Sequence, residues 1–193
     1  MLLLISSLLL MSCGADKYMK KGEKFLALGE YYDAANQFKQ AYTRTPAKER
    51  DTRGKRALKM AQCYQRINAT PKAIAAYRNA IRYNQASKED QLAYARQLLK
   101  NGDYRQAEKV FLMLKDSMPG NQLVANGLKS AQMAPEWKKQ GSRYIVKRMD
   151  VFNSRRHDYS PVLFGDDYDQ LYFTSTRNEA LGDELSGITG TKA

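Results

Sequence analysis

Between residues 15 and 134, apolar side chains return every three or four positions, the period of helices that bury one face. From Gly141 the period falls to two. Tyr144-Ile145-Val146-Lys147, Pro161-Val162-Leu163-Phe164 and Gln170-Leu171-Tyr172-Phe173-Thr174 read as short strands with turn residues between them. Ahead of both regions, Leu2–Leu10 is an apolar run broken only by Ser6 and Ser7. Spanning a bilayer takes about 20 residues, so this run is too short. It has the length of the apolar part of a signal peptide.

The helical region repeats. Gly29-Glu30-Tyr31, Ala34, Phe38, Ala41 and Pro46 form one set. Asn68-Ala69-Thr70, Ala73, Tyr77 and Ala80 form a second, with Gln85 where the proline would fall. Gly102-Asp103-Tyr104, Ala107, Phe111, Leu114 and Pro119 form a third. Ala73 to Ala107 and Tyr77 to Phe111 are each 34 residues apart, and Ala34 to Ala73 is 39. The preceding half of each unit also agrees: Tyr18, Gly22 and Phe25, then Ala57, Ala61 and Tyr64, then Tyr94, Ala95 and Leu98.

This pattern resembles the tetratricopeptide repeat, with units at 15–48, 54–87 and 88–121 and a capping helix at 122–134 that Pro135 stops. The expected fold is mainly α, a solenoid of helical hairpins. Gly22, Ala61 and Ala95 are expected where two helices cross closely. Phe38, Tyr77 and Phe111 are expected to fill the space between hairpins. Gly29 and Gly102 suit a left-handed helix end, and Pro46 and Pro119 a helix stop.

Arrays of this family bind through the first helix of each unit. The resemblance therefore implies a partner-binding groove. Its positions are Asp16, Met19, Glu23 and Leu26, then Lys55, Leu58, Gln62, Gln65 and Arg66, then Glu89, Leu92, Arg96, Leu99 and Lys100. Lys55, Leu58, Gln62, Arg66, Leu92, Arg96, Leu99 and Lys100 are the strongest candidates. They suggest a basic surface for a peptide carrying carboxylates. Gln62 and Arg96 stand where the carboxylate clamp of chaperone-binding repeats has asparagine, so chaperone tails are not implied as ligands. The alternative for these charges is a solvated helix face.

Leu10-Met11-Ser12-Cys13 resembles a bacterial lipobox. The resemblance implies cleavage of a signal peptide at 1–12 and a diacylglycerol and N-acyl lipid on Cys13. No other cofactor is implied. Gly14 follows instead of the Asp of inner-membrane retention, which points to the outer membrane. Cys63 sits in an apolar helical stretch and reads as a small buried hydrophobe.

Phe152-Asn153-Ser154, Asp158-Tyr159-Ser160-Pro161-Val162 and Leu171-Tyr172-Phe173-Thr174-Ser175-Thr176-Arg177 resemble the first blade of a bacterial WD40-like (PD40) β-propeller. Residues 141–193 are thus expected to be the truncated start of such a propeller, incomplete, and poorly ordered or lying as a frayed hairpin against the last helices. Signal peptide, lipid cysteine, repeats and propeller start in this order resemble the Bacteroidetes outer-membrane lipoproteins that continue into an OmpA-like domain. PorE-type components of the type IX secretion system are the nearest such group. The resemblance implies a lipid-anchored, periplasm-facing adaptor that binds a secretion-machinery protein or another outer-membrane component. A structural lipoprotein that spaces a wall-binding domain from the membrane is the other reading. The OmpA-like part is not in this sequence, so peptidoglycan binding is not carried over.

The chain of 193 residues carries 32 Lys and Arg against 20 Asp and Glu, a formal charge of +12. Residues 1–140 hold 25 of those basic residues and 12 of the acidic ones, so the basic character belongs to the repeats. Such a charge attracts an anion without naming it. Acidic residues interrupt the run Lys48–Arg56, and an export signal leads away from nucleic acid, so nucleic acid is not expected as a partner. The lone histidine, His157, has no companion for a metal, Ser154 and Asp158 are only its loop neighbours beside a strand, and no phosphate-binding glycine loop occurs. Neither an enzyme nor a metal site is expected.

Overall fold

The structure, a computed structural model, describes residues 2–177, with side chains from residue 14 onward. The chain divides into two units, Met1–Gly141 and Ser142–Ala193. The described residues of the first unit form seven helices: α1 (Leu2–Ala27), α2 (Tyr31–Arg44), α3 (Arg50–Arg66), α4 (Thr70–Arg82), α5 (Lys88–Asn101), α6 (Tyr104–Ser117) and α7 (Gln122–Gln140). Each packs on the next in chain order, and α7 also touches α5. The result is three helical hairpins and a closing helix.

One turn geometry joins the two helices of every hairpin. Gly29, Asn68 and Gly102 take φ of 77°, 57° and 84°. The next amide in each case reaches back five residues: Glu30 to the Phe25 carbonyl, Ala69 to Tyr64 and Asp103 to Leu98, all at 2.9 Å. Glycine takes this conformation freely, and asparagine is the next most tolerant residue. The second unit therefore keeps the turn without a glycine. Between hairpins, α2 ends just before Pro46 and α6 just before Pro119. The second unit, with Gln85 where that proline would fall, stops instead through Asn84, at φ 54°.

The core follows the repeat. Ala34, Phe38 and Ala41, then Ala73, Tyr77 and Ala80, then Ala107, Phe111 and Leu114 are almost completely buried on the second helices. Ala61 and Ala95 are buried where first helices meet them. Cys63 is a buried free thiol packed in the same cluster. Burial pushes its pKa up to about 11, partly offset by the nearby Lys59 charge.

The closing helix departs from the expected 122–134. α7 runs through Pro135 to Gln140 and ends at Gly141, φ 69°. Proline cannot donate to a helical carbonyl, but its fixed φ is helical. Glu136, Trp137, Lys138, Lys139 and Gln140 all sustain a helix after it, and glycine supplies the stop.

In the second unit, β1 (Asp158–Phe164) and β2 (Gln170–Ser175) pair antiparallel. A bulge between Tyr159 and Val162 interrupts the register beside Ser160, φ 53°. The expected strand Tyr144–Lys147 does not form. Tyr144, Ile145 and Val146 are 71%, 86% and 92% exposed, with no partner strand beside them among the described residues. Alternation alone does not make a strand, because its backbone groups need a partner. The expected frayed hairpin is instead well bonded. Residues 178–193, part of the expected propeller start, lie outside the described residues.

Candidate functional site

The first helices α1, α3 and α5 lie side by side and are tied across their shared face by polar contacts. Asp16 of α1 accepts from Arg56 of α3, and Glu23 pairs with Lys59 at 3.2 Å. Gln62 Nε2 donates to Asp90 Oδ1 at 3.1 Å, joining α3 to α5. Arg56 is buried; it also donates to the Ala41 carbonyl and Thr45 hydroxyl at the end of α2.

A groove of about 580 Å³ opens beside the C-terminal end of α3. Leu26 comes from α1, Gln62, Cys63, Gln65 and Arg66 from α3, and Glu89, Asp90 and Ala93 from α5. Tyr31 of α2 and Tyr77 of α4 complete the wall. The Tyr77 hydroxyl donates to Gln65 Oε1 at 2.6 Å, and burial raises its pKa. The guanidinium of Arg66 lies 5.8 Å from the Tyr31 ring centre, within cation–π range. Asp90 serves twice: it completes a capping box with Ser87 at the start of α5 and holds Gln62.

Of the eight strongest sequence candidates, only Gln62 and Arg66 line this groove. Leu92 is 7% exposed and belongs to the core. Leu58 and Leu99 are half-buried against that core, so they pack the solenoid more than they offer a surface. Lys55 and Arg96 are exposed but outside the groove. The Lys100 ammonium donates to Asn68 Oδ1 at 2.6 Å and so braces the turn between α3 and α4. The lining of this groove holds one guanidinium, Arg66, beside two carboxylates, Glu89 and Asp90, while Lys55, Arg96 and Lys100 stand exposed outside it.

Sequence reasoning also missed Tyr31, Tyr77, Asp90 and Ala93. The two tyrosines belong to second helices, which the family pattern does not assign to the groove, yet both reach the same face. The Cys13 side chain lies outside the described residues, while its backbone is part of α1.

In the second unit, the motif residues converge. Asp158 accepts from the Ser154 amide and hydroxyl at 2.6 and 2.8 Å, from the Ser175 hydroxyl at 2.6 Å and from Arg177 at 2.8 Å. Hydrogen bonds from Ser175, then Arg177 and Ser154, hold its carboxyl well below the usual carboxylate range. His157 is exposed, and its backbone amide donates to Thr176 Oγ1. Among the described residues, no three metal-ligating side chains converge, and no helix is long and apolar enough to cross a membrane.

No protein-family profile matches the chain, and no curated protein matches it. Solved structures do. The first tetratricopeptide domain of Spaghetti (RPAP3), bound to the HSP90 peptide SRMEEVD, is 17% identical with a TM-score of 0.52 and covers 65% of this chain and 96% of its own. The C-terminal tetratricopeptide-containing domain of a Plasmodium falciparum FK506-binding protein is 15% identical with a TM-score of 0.55, covering 68% and 94%. At these identities the likeness establishes the fold: a mainly helical tetratricopeptide-type array.

Proposed function

We propose that the chain is a lipid-anchored cell-envelope adaptor that holds a segment of a partner protein in the α1–α3–α5 groove. We place it at the outer membrane, facing the periplasm, within the type IX secretion system. The observation that carries the binding function is the groove itself. It is open, and it joins the apolar Leu26 and Ala93 to opposite charges, Arg66 and Glu89, on adjacent helices. Such a lining suits an extended segment that presents one carboxylate, one basic group and a small apolar side chain. The Spaghetti domain holds a peptide with the same fold, which supports this use of the array.

The anchor rests on the apolar run and Cys13 of the sequence, and the envelope role on the order of segments. Convergence of Ser154, Ser175 and Arg177 on Asp158 supports the blade motif, because those residues are the ones that define it. The open apolar side chains Val162, Leu163 and Tyr172 support a hairpin that belongs to a larger sheet assembly.

The spacer reading is favoured by the ties Asp16–Arg56, Glu23–Lys59 and Gln62–Asp90, which occupy inner-face groups internally. Capture from envelope extracts separates the two. The full chain should retain a protein in fixed stoichiometry, and Arg66→Glu should retain less of it at low salt. Recovery of lipid or wall material alone would establish the spacer.

A further inference from the structure

α1 carries a second surface, on the side away from its buried positions Ala15 and Gly22. Lys17, Lys20, Lys21 and Lys24 are all exposed and surround a shallow recess on this helix together with Asp16. Their spacing of three and four residues places them on one helix face. The two acidic residues of this stretch do not neutralise them. Asp16 turns to Arg56 and Glu23 to Lys59, both on α3. None of the four lysines has an ion-pair partner among the described residues. Lys21 alone has a further contact, 5.6 Å above the Phe25 ring.

The register of the stripe adds an independent observation. α1 is one continuous helix from Leu2 to Ala27, so position 13 lies in the same helix as the lysines. It precedes Lys17, Lys20 and Lys24 by four, seven and eleven residues, the spacing of a single face. At about 1.5 Å per residue, these lysines stand roughly 6, 10 and 17 Å along the axis from position 13. A helix that meets a membrane at position 13 along this face brings all three ammonium groups to the headgroup layer.

We propose that Lys17, Lys20 and Lys24, with Lys21 at the edge, dock α1 onto anionic phospholipid headgroups. This rests on the reading of Cys13 as the anchor point and adds an orientation to it. The diacylglycerol and N-acyl chains implied at Cys13 hold the chain at the membrane, and the basic patch sets how α1 lies on its surface. On α1, Leu26, the residue that lines the peptide groove, stands nearly opposite Lys17 and Lys24 around the helix, so the groove stays open while the protein is on the membrane. An acidic protein face would use the same charge, but the alignment with position 13 favours the membrane.

The test is flotation of the full chain with phosphatidylcholine vesicles, with and without added phosphatidylglycerol. Partitioning should rise when the anionic lipid is present, and the increment should fall with salt. Each lysine should contribute about fivefold, so Lys20→Glu with Lys24→Glu should lower the increment at least about twenty-fivefold at low salt. Lys109→Glu with Lys129→Glu, an equal charge change on exposed positions of α6 and α7, should lower it far less. Circular dichroism should show the same helix content in all variants. An increment that is absent, or lost equally in both double variants, overturns the stripe. So does binding to a polyanion with no response to anionic vesicles. Intact mass reads acylation of Cys13 separately. An unacylated chain that keeps the anionic increment refutes the anchor alone, and a Cys13→Ser chain indifferent to anionic lipid refutes the stripe alone.

Discussion

Gly22 of α1 lies so close to the Phe38 ring of α2 that a Cβ at position 22 would stand 2.6 Å from Phe38 Cε1. The same device closes the other end of the array, where a Cβ at Gly127 of α7 would stand 2.2 Å from Phe111 Cζ. Both rings are fully buried and have no room to retreat. Glycine here is a packing requirement, since alanine is the better helix former in isolation.

Gly22→Ala should therefore lower stability by about 1–3 kcal/mol, the overpacking cost exceeding the gain in helix propensity. Phe38→Leu alone should also destabilise by leaving a void. In the double variant the two losses should be smaller than their sum, because the smaller side chain makes room. Urea denaturation of the four chains checks this; strictly additive losses would show that the two positions do not touch.

Cys63 should be inert in the native state. Its pKa of about 11 leaves only about one part in a thousand ionised at pH 8, and the thiolate is the reactive form. Iodoacetamide should label Cys63 at the rate of unfolding, and quickly once urea is added. Fast native labelling of Cys63, located by peptide mapping, would contradict its burial.

Asp158 organises the second unit, and its titration fixes the sign of an acid response. Its folded pKa is depressed, so its stabilising contribution is present above the ordinary aspartate value of about 3.9. That contribution is lost as pH falls through the lower folded value. The hairpin amides of Asp158–Phe164 and Gln170–Ser175 should keep slow hydrogen exchange, relative to intrinsic rates, down to about pH 4 and lose it below. Asp158→Asn should weaken that protection already at neutral pH, since Arg177 would lose its charge partner. Equal protection in the variant and the parent would show that the network does not hold the hairpin.

The repeat was legible because it is written in steric requirements: small residues at crossings, large ones between hairpins, special backbone at turns. Asn68 shows how far this goes, since it takes the left-handed turn that Gly29 and Gly102 take in the other units. The end of α7 was misread because proline stops a helix less reliably than it starts one. Pro135 is followed by strong helix formers, and the stop waits for Gly141. The groove was half legible. The family resemblance implies which helices form it but not which charges remain free in it. Lys59 and Arg56 are spent on Glu23 and Asp16, Lys100 on Asn68, and Asp90 enters the face through a cap. Those pairings depend on how adjacent hairpins align, which no single helix pattern states.

Charge reversal in the groove should act on binding and leave the fold intact. Arg66 and Glu89 are both exposed. Arg66→Glu should slow partner association and reduce its salt dependence, with an affinity loss of about 0.2–1 kcal/mol from the charge alone. Glu89→Lys should weaken a different contact of the same segment. Unchanged association rates in both variants, across salt concentrations, would make the groove a solvated face.

The most direct measurement places a photo-crosslinking amino acid at Gln62, inside the groove, and separately at Lys109, on the exposed surface of α6. Both full-length chains are expressed in cells with an intact envelope and irradiated. The account expects one discrete protein adduct from position 62, none from position 109, and a weaker adduct at position 62 when Arg66→Glu is added. No adduct at position 62, or the same adducts at both positions, would contradict the groove as the partner site.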